Sequence, residues 1–548
     1  MKRYTLLVTA LLLCGLSMGQ PKWTKNVQKS LRTLYALQQE GDTLRSQAFY
    51  IDAQGTLVAP LSIIRNARKA WCEDTKGGSY PISRICGFNS TYNVVKLQAE
   101  TGKKKSIPLP LSQRACTKGQ TVYLMPSGTS DQITQIEKAG NYNYYTLESK
   151  ADPQLTGTPV MDENGTVSGI LQTPITIPNA PNYVLDIRFL EAMSISAMDA
   201  NHSDLQHCSI PKQLPADETQ AKSFLFLCQA DVATRTVYAN DYILAFPKNP
   251  FGYIYRAELE AQNEAYDKAK SAYEEGMKAV TEGSDELLYS RSVTIYQHTL
   301  AKKNLPTEWT LQKALEDVRQ ASLRNPLPLY TLQEARLLFA TKDYGEACHK
   351  FLLLTQTNLR TPDLFLYAAQ CKEKMGSEKA DILALNDSAM SFFTKPYTRE
   401  AANYLWVRSQ TLKGMNRYRD AIADLGDYEH LLTGKLTDVF YYEREQLELK
   451  SRMYAQALND IGKAIALNPT EPLYYAEQAV LQYRTRQTEE AMVSCQKAIE
   501  LDNAFPDAYR LYGICLREKG DLEGARKQLK KAAELGDKMA QDLLSEMQ

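Results

Sequence analysis

The sequence predicts a multidomain chain of α and β parts: an all-β domain over residues 20–200, a linker at 201–215, and an all-α superhelix, or solenoid, over 216–548. Three observations carry this. From Ala48 to Leu185, short β-favouring runs alternate with Gly, Asn and Pro, the punctuation of an all-β barrel or sandwich. Between Pro211 and Pro215 the composition changes, and long helical periodicity takes over. From Met453 to Leu535 the chain then repeats itself: Ala457, Ala491 and Ala525 lie 34 residues apart, as do Ala464, Ala498 and Ala532, and Leu467, Leu501 and Leu535.

At the amino end, Lys2 and Arg3 precede an apolar run from Leu6 to Leu13, and Ser17-Met18-Gly19 follows it. That order, with a core too short to span a bilayer, predicts a secretory signal peptide over residues 1–19. Cys14 raises lipidation, but Leu13 is not the small residue expected before an acylated cysteine. No later run is long and apolar enough for a transmembrane segment, so an exported protein is expected, in the periplasm or cell envelope, with release to the medium left open. At 548 residues the chain is long enough for two or more cores, and 64 basic residues balance 64 acidic ones. Zero net charge removes the electrostatic argument for nucleic acid as a partner.

Nine cysteines follow the predicted cleavage point. Cys72 and Cys86 flank a polar loop containing Gly77-Gly78 and are the disulfide candidate. Cys228, Cys348, Cys371, Cys495 and Cys515 sit in helical patterns, where cysteine behaves as a small buried hydrophobe. There is no C-x-x-C pair. The nearest thing to a metal cluster, His202, His207 and Cys208, falls in the polar hinge, so no metal and no cofactor is expected.

Along the β region, Trp23 to Lys29 reads as a short helix and Leu31 to Leu37 as the start of a strand. The remaining runs are Ala48 to Ile51, Thr56 to Val58, Val94 to Leu97, Thr121 to Leu124, Tyr144 to Leu147, Val167 to Ile170 and Tyr183 to Leu185. Three segments in this order carry a resemblance. Ile51-Asp52-Ala53-Gln54-Gly55-Thr56-Leu57-Val58, then Tyr92-Asn93-Val94-Val95-Lys96, then Thr156-Gly157-Thr158-Pro159-Val160 with Asn164 to Ile170 behind it, resemble the histidine, aspartate and nucleophile segments of exported, HtrA-type trypsin-like serine peptidases. The resemblance implies a double β-barrel.

The family's chemistry needs a hydroxyl nucleophile, an imidazole base, a carboxylate to orient it, and backbone donors for the oxyanion. Matched residue by residue, this chain has Ser62 at the histidine position, Asn93 at the aspartate, Thr156 at the serine, and Gln154 where a glycine opens the oxyanion hole. No shift of register restores the base, because no histidine occurs before His202. A lysine base is the remaining route; Lys96 and Lys103 to Lys105 are available, the last three reading as a solvated turn. The domain is therefore read as a pseudo-peptidase with no catalytic residues.

In the helical part the small residues have a physical reason, since alanine where two helices cross lets the backbones approach. A period of 34 is the length of a helix-turn-helix unit that must stack on its neighbours. Tyr509, Gly513, Ala525, Leu529 and Ala532, and before them Tyr475, Ala479, Ala491 and Ala498, resemble the tetratricopeptide repeat (TPR) pattern. Ala421, Ala380, Ala347, Ala314 and Ala269 continue it upstream, for about eight units, best defined over 438–548. The resemblance implies a concave groove for protein or peptide partners. It puts Asn403, Trp406, Gln410, Tyr442, Gln446, Tyr483, Arg484, Arg510 and Arg517 along that groove, where rings supply area, amides pair with a peptide backbone and arginines hold a carboxylate. The resulting expectation is an exported, non-catalytic binding or scaffold protein. The alternative is an exported trypsin-like serine peptidase whose repeats recruit substrate.

Overall fold

A computed structural model of the chain describes residues 22–102, 105–173 and 180–547. The expected signal peptide, Cys14, Lys103 and Lys104 lie outside the described residues. The chain divides into two compact units, Met1–Leu287 and Leu288–Gln548.

In the first unit the helix Thr24–Ser30 leads into strands whose buried residues alternate with outward ones. β1 (Leu31–Gln38), β2 (Thr43–Tyr50), β3 (Thr56–Pro60), β4 (Ala67–Glu73), β5 (Ser79–Asn89) and β6 (Val94–Ala99) close into one barrel in the order β1-β2-β3-β6-β5-β4. β7 (Thr121–Leu124), β8 (Thr129–Ala139), β9 (Tyr142–Lys150), β10 (Pro159–Met161), β11 (Val167–Gln172) and β12 (Pro181–Asp186) close a second, β7-β8-β9-β12-β11-β10. The two orders are the same, so one topology is used twice. Every run expected as a strand is one; β4, β5, β8 and β10 were not expected.

Barrel 1 is filled by residues such as Leu34, Tyr50, Leu57, Ile85 and Leu97, and barrel 2 by Val122, Ile133, Tyr145, Val160 and Leu171. A third cluster, including Phe49, Val58, Val94, Met161 and Leu185, joins strands of both barrels. That seam is where the two barrels bring their loops together.

The segment 201–215 is not a free linker. Ile85 N donates to Pro211 O and Gln213 N to Ile85 O, so it adds a short parallel bridge to β5. Ile210 and Leu205, with Phe224, Tyr238 and Tyr242 of the helices that follow, belong to the barrel 1 core. Leu205 and Ile210, ahead of Pro211, made this segment packable, and the hydrophilic average hid them.

Nineteen α-helices follow among the described residues, from Glu218–Leu227 to Lys538–Glu546. None is long and apolar enough to cross a membrane. Most form antiparallel hairpins: the first helix often begins at a proline, as at Pro328, Pro362, Pro472 and Pro506. The second has a small residue in its first turn. Ala269, Ala314, Ala347, Ala421, Ala457, Ala491 and Ala525 are each the fourth residue of their helix and fully buried. Ala380 is exposed, and Ile382 holds that place in the helix Lys379–Met390. Leu467, expected as filling, is 54 % exposed at a helix end.

Candidate functional site

β3 pairs antiparallel with β6, Pro60 opposite Val94, so the turn after β3 meets the residue before β6. This register puts Ser62 against Asn93. Asn93 has a left-handed backbone, φ +49°, which asparagine tolerates better than most residues. Its Oδ1 accepts from Ser62 N at 2.7 Å, its Nδ2 donates to Ser62 Oγ at 3.3 Å, and its carbonyl accepts from Leu61 N at 3.1 Å. The pair is a neutral amide tied to a hydroxyl, with no group that accepts a proton near pH 7.

The third position comes from barrel 2. Gly157 has φ +86°, and a Cβ there would lie 2.6 Å from Pro60 Cδ and 3.0 Å from Gln47 O. Only glycine fits so close an approach, and it sets Thr156 beside the Ser62 turn. The three positions matched from sequence therefore converge across the barrel seam. The Thr156 hydroxyl is hydrogen-bonded to that of Thr173, a partner the sequence did not suggest.

The backbone around Thr156 is closed as well. Asp152 caps a 3₁₀ turn, Pro153–Leu155, by accepting from Gln154 N at 3.0 Å. Leu155 N donates to Asp152 O at 3.0 Å, Thr156 N to Pro153 O at 3.4 Å and Gly157 N to Leu171 O at 2.9 Å. An oxyanion hole needs free N–H donors aimed at the developing charge. Here the amides of Gln154 and Thr156 are used within the turn itself. Asp152 before Pro153 is a sequence-legible capping signal, and it was missed.

Lys96 is half-buried, and burial lowers its pKa, the direction a lysine base needs. Its Nζ, however, donates to Leu190 O at 3.0 Å. Lys105 is exposed. Cys72 and Cys86 are both free thiols, contrary to the disulfide expectation. Cys72 faces Tyr80 across the β4–β5 ladder while Cys86 is far along β5, and Tyr50 Oη lies 3.7 Å from Cys72 Sγ. His202 packs edge-on against Phe88, and its Nδ1 accepts from Asp204 N at 3.2 Å. Among the described residues no three His, Cys, Asp or Glu side chains are grouped to hold a metal.

In the helical region all nine groove candidates fall on first helices of hairpins: Asn403, Trp406 and Gln410 on Ala402–Gly414, Tyr442 and Gln446 on Asp438–Lys450, Tyr483 and Arg484 on Pro472–Arg484, Arg510 and Arg517 on Pro506–Glu518. Several are engaged within the fold. Trp406 packs on Tyr428 and Phe440, Tyr442 on Tyr474, and Tyr483 on a core cluster. Arg510 pairs with Asp507 and Asp537, Arg517 lies 4.0 Å from Glu546, and Gln446 donates to Glu445 at 2.8 Å. Asn403 and Arg484 are exposed.

No protein-family profile and no curated protein matches the chain. Solved structures do. The active form of the Rv3671c protease of M. tuberculosis aligns at 13 % identity over 31 % of this chain and 82 % of its own, with a TM-score of 0.27. A serine endoprotease from Yersinia pestis aligns at 12 % identity over 32 % of this chain, which spans 64 % of that structure's length, also with a TM-score of 0.27. The N-terminal part is a pair of closed six-stranded barrels of one topology, and the part that follows is all helical.

Proposed function

We propose that this is an exported, non-catalytic binding protein: a pseudo-peptidase double barrel followed by tetratricopeptide-like repeats that hold protein or peptide partners. The observation that carries the reading is the Ser62–Asn93 pair beside Thr156. The three positions of a triad converge, yet none supplies a base, and the amides that would receive an oxyanion are bonded within the Asp152–Thr158 turn. Loss of a triad member alone costs several orders of magnitude in rate. Supporting the repeats are the buried alanine at the fourth place of seven second helices and Gly513, whose absent Cβ leaves room for Leu529.

The test is labelling of the purified mature chain with a serine-directed fluorophosphonate, alongside casein turnover. Neither is expected above background, and Thr156→Ala should capture the same partners from an envelope fraction as the parent. Turnover that disappears in Thr156→Ala would establish the peptidase alternative instead. For the groove, Asn403→Asp with Arg484→Glu should weaken capture while leaving the circular dichroism spectrum unchanged.

A further inference from the structure

Within the first unit, a cleft of about 730 Å³ opens between the edge of barrel 1, the segment 200–212, the connection 228–231 and the helix Val232–Ala245. Lys212 is in its wall. The backbone is fixed there, the amide donating to Tyr238 Oη at 2.9 Å, and the side chain is 7 % exposed. Its Nζ donates to Ala200 O at 3.0 Å. An ammonium has three N–H donors, so two remain for another partner.

A buried ammonium is costly unless an opposite charge meets it. Asp199 acts on Lys212 only through space, and neither Asp199 nor Asp231 forms an ion pair with it among the described residues. Asp199 accepts from Ser196 N and Oγ, both at 2.7 Å, and Asp231 from Thr234 N at 2.8 Å and Thr234 Oγ1 at 3.2 Å. Cys208 does not serve either, since burial pushes its thiol up to about 11 and keeps it neutral at physiological pH. Burial likewise lowers the pKa of Lys212 itself, which an anion in the cleft would reverse. The rest of the wall carries Asn201, Gln206, His207 and Gln229, polar side chains suited to a small anion rather than an apolar group.

We propose that this cleft binds a monocarboxylate, with Lys212 as its buried cation and the exposed Gln229 amide as a further donor. One cation matches one negative charge, and Asp199 and Asp231 nearby disfavour a dianion such as phosphate. A free small acid and the carboxy terminus of a peptide share this chemistry, and a cleft of about 730 Å³ has room for either.

The measurement is calorimetric titration of the full mature chain with acetate, with acetyl-trialanine, with the amide of that peptide, and with inorganic phosphate, at constant ionic strength. Saturable binding of the carboxylates is expected, with the amide and phosphate at least tenfold weaker. Acetyl-trialanine binding tighter than acetate assigns the site to a chain terminus, and equal binding assigns it to small acids. Lys212→Met should weaken binding at least tenfold, and so should Gln229→Glu, which alters an exposed wall residue and leaves the core intact. No saturable binding by the parent, equal binding of the amide, or full affinity in Gln229→Glu with a folded Lys212→Met would each overturn the proposal.

Discussion

Asp52, Asp74 and Asp162 solve one local problem three times. Each is followed three residues later by a glycine with positive φ, and each carboxylate oxygen accepts two backbone amides across its turn: Gln54 and Thr56, both at 2.9 Å; Lys76 and Gly78 at 2.9 and 2.8 Å; Asn164 and Thr166 at 2.9 and 2.8 Å. Asp162→Ala is expected to cost about 1 kcal/mol in urea unfolding, and Asp162→Asn less, because the amide oxygen still accepts. Gly157→Ala should cost more, on the order of 2 kcal/mol, since it combines a left-handed backbone with a collision against Pro60. Refolded Gly157→Ala of undiminished stability would mean the seam is looser than described. These residues also mark what was readable. Ser62, Asn93 and Thr156 were found by their order along the chain, because a topology fixes which strand ends meet. Thr173 was not, because a hydroxyl partner depends on local backbone geometry that no motif encodes, whereas the Asp152 cap was legible in Asp152-Pro153 and was passed over.

At the scale of the element, the hairpins share a joint. The residue two places after the first helix is left-handed in each of Glu264, Lys342, Gly376, Asn416, Arg452, Arg486 and Gly520. Glycine is the natural occupant of such a C-terminal position, so Arg486→Gly is expected to raise stability by about 0.5 kcal/mol despite the looser unfolded chain. A denaturation midpoint lowered by that change would show that Arg486 contributes through its side chain instead. The hairpins also share a polar tie. Arg408 meets Asp424 at 2.6 Å and Arg444 meets Asp460 at 2.5 Å, each pair 16 residues apart, and Ser494 donates to Gln478 at 3.1 Å in the same place. Arg444→Met takes from buried Asp460 its closest partner, leaving Lys463 at 3.5 Å, while Glu429 keeps Lys463 at 2.8 Å. It should cost about 3 kcal/mol, with Arg444→Met plus Asp460→Leu less costly than the single change. The alanine period revealed the hairpins because a close crossing tolerates few residue types. It misplaced Ala380 because the spacing between units varies and counting drifts. The charged ties were invisible, since a buried arginine and an exposed one look alike in sequence.

At the scale of the whole molecule, two buried glutamates of the second unit and two lysines of the first are shifted by burial in ways that set opposite responses to pH. In the second unit Glu445 and Glu448 are buried, each with one carboxyl oxygen lacking a hydrogen-bond partner among the described residues. Burial, helped by Glu477, pushes Glu445 up to about 7; burial, helped by Asp460, pushes Glu448 up to about 8. A carboxyl whose folded pKa is raised binds its proton more tightly folded than unfolded. Its favourable contribution is complete below the unfolded value near 4.5 and is lost as pH rises through 7 to 8. Glu429, lowered to about 2, works the other way, but its contribution is already complete above 4.5 and leaves this window clear. In the first unit Lys96 and Lys212 have lowered pKa values, so the unfolded chain binds more protons and stability rises with pH toward the ordinary lysine value of 10.5. Scanning calorimetry between pH 5 and 8 should therefore show the transition of the second unit moving down by several degrees, and Glu448→Gln should flatten that movement without touching the other transition. A second-unit transition that holds steady or climbs across this window would mean the two glutamates find partners that the fold does not supply.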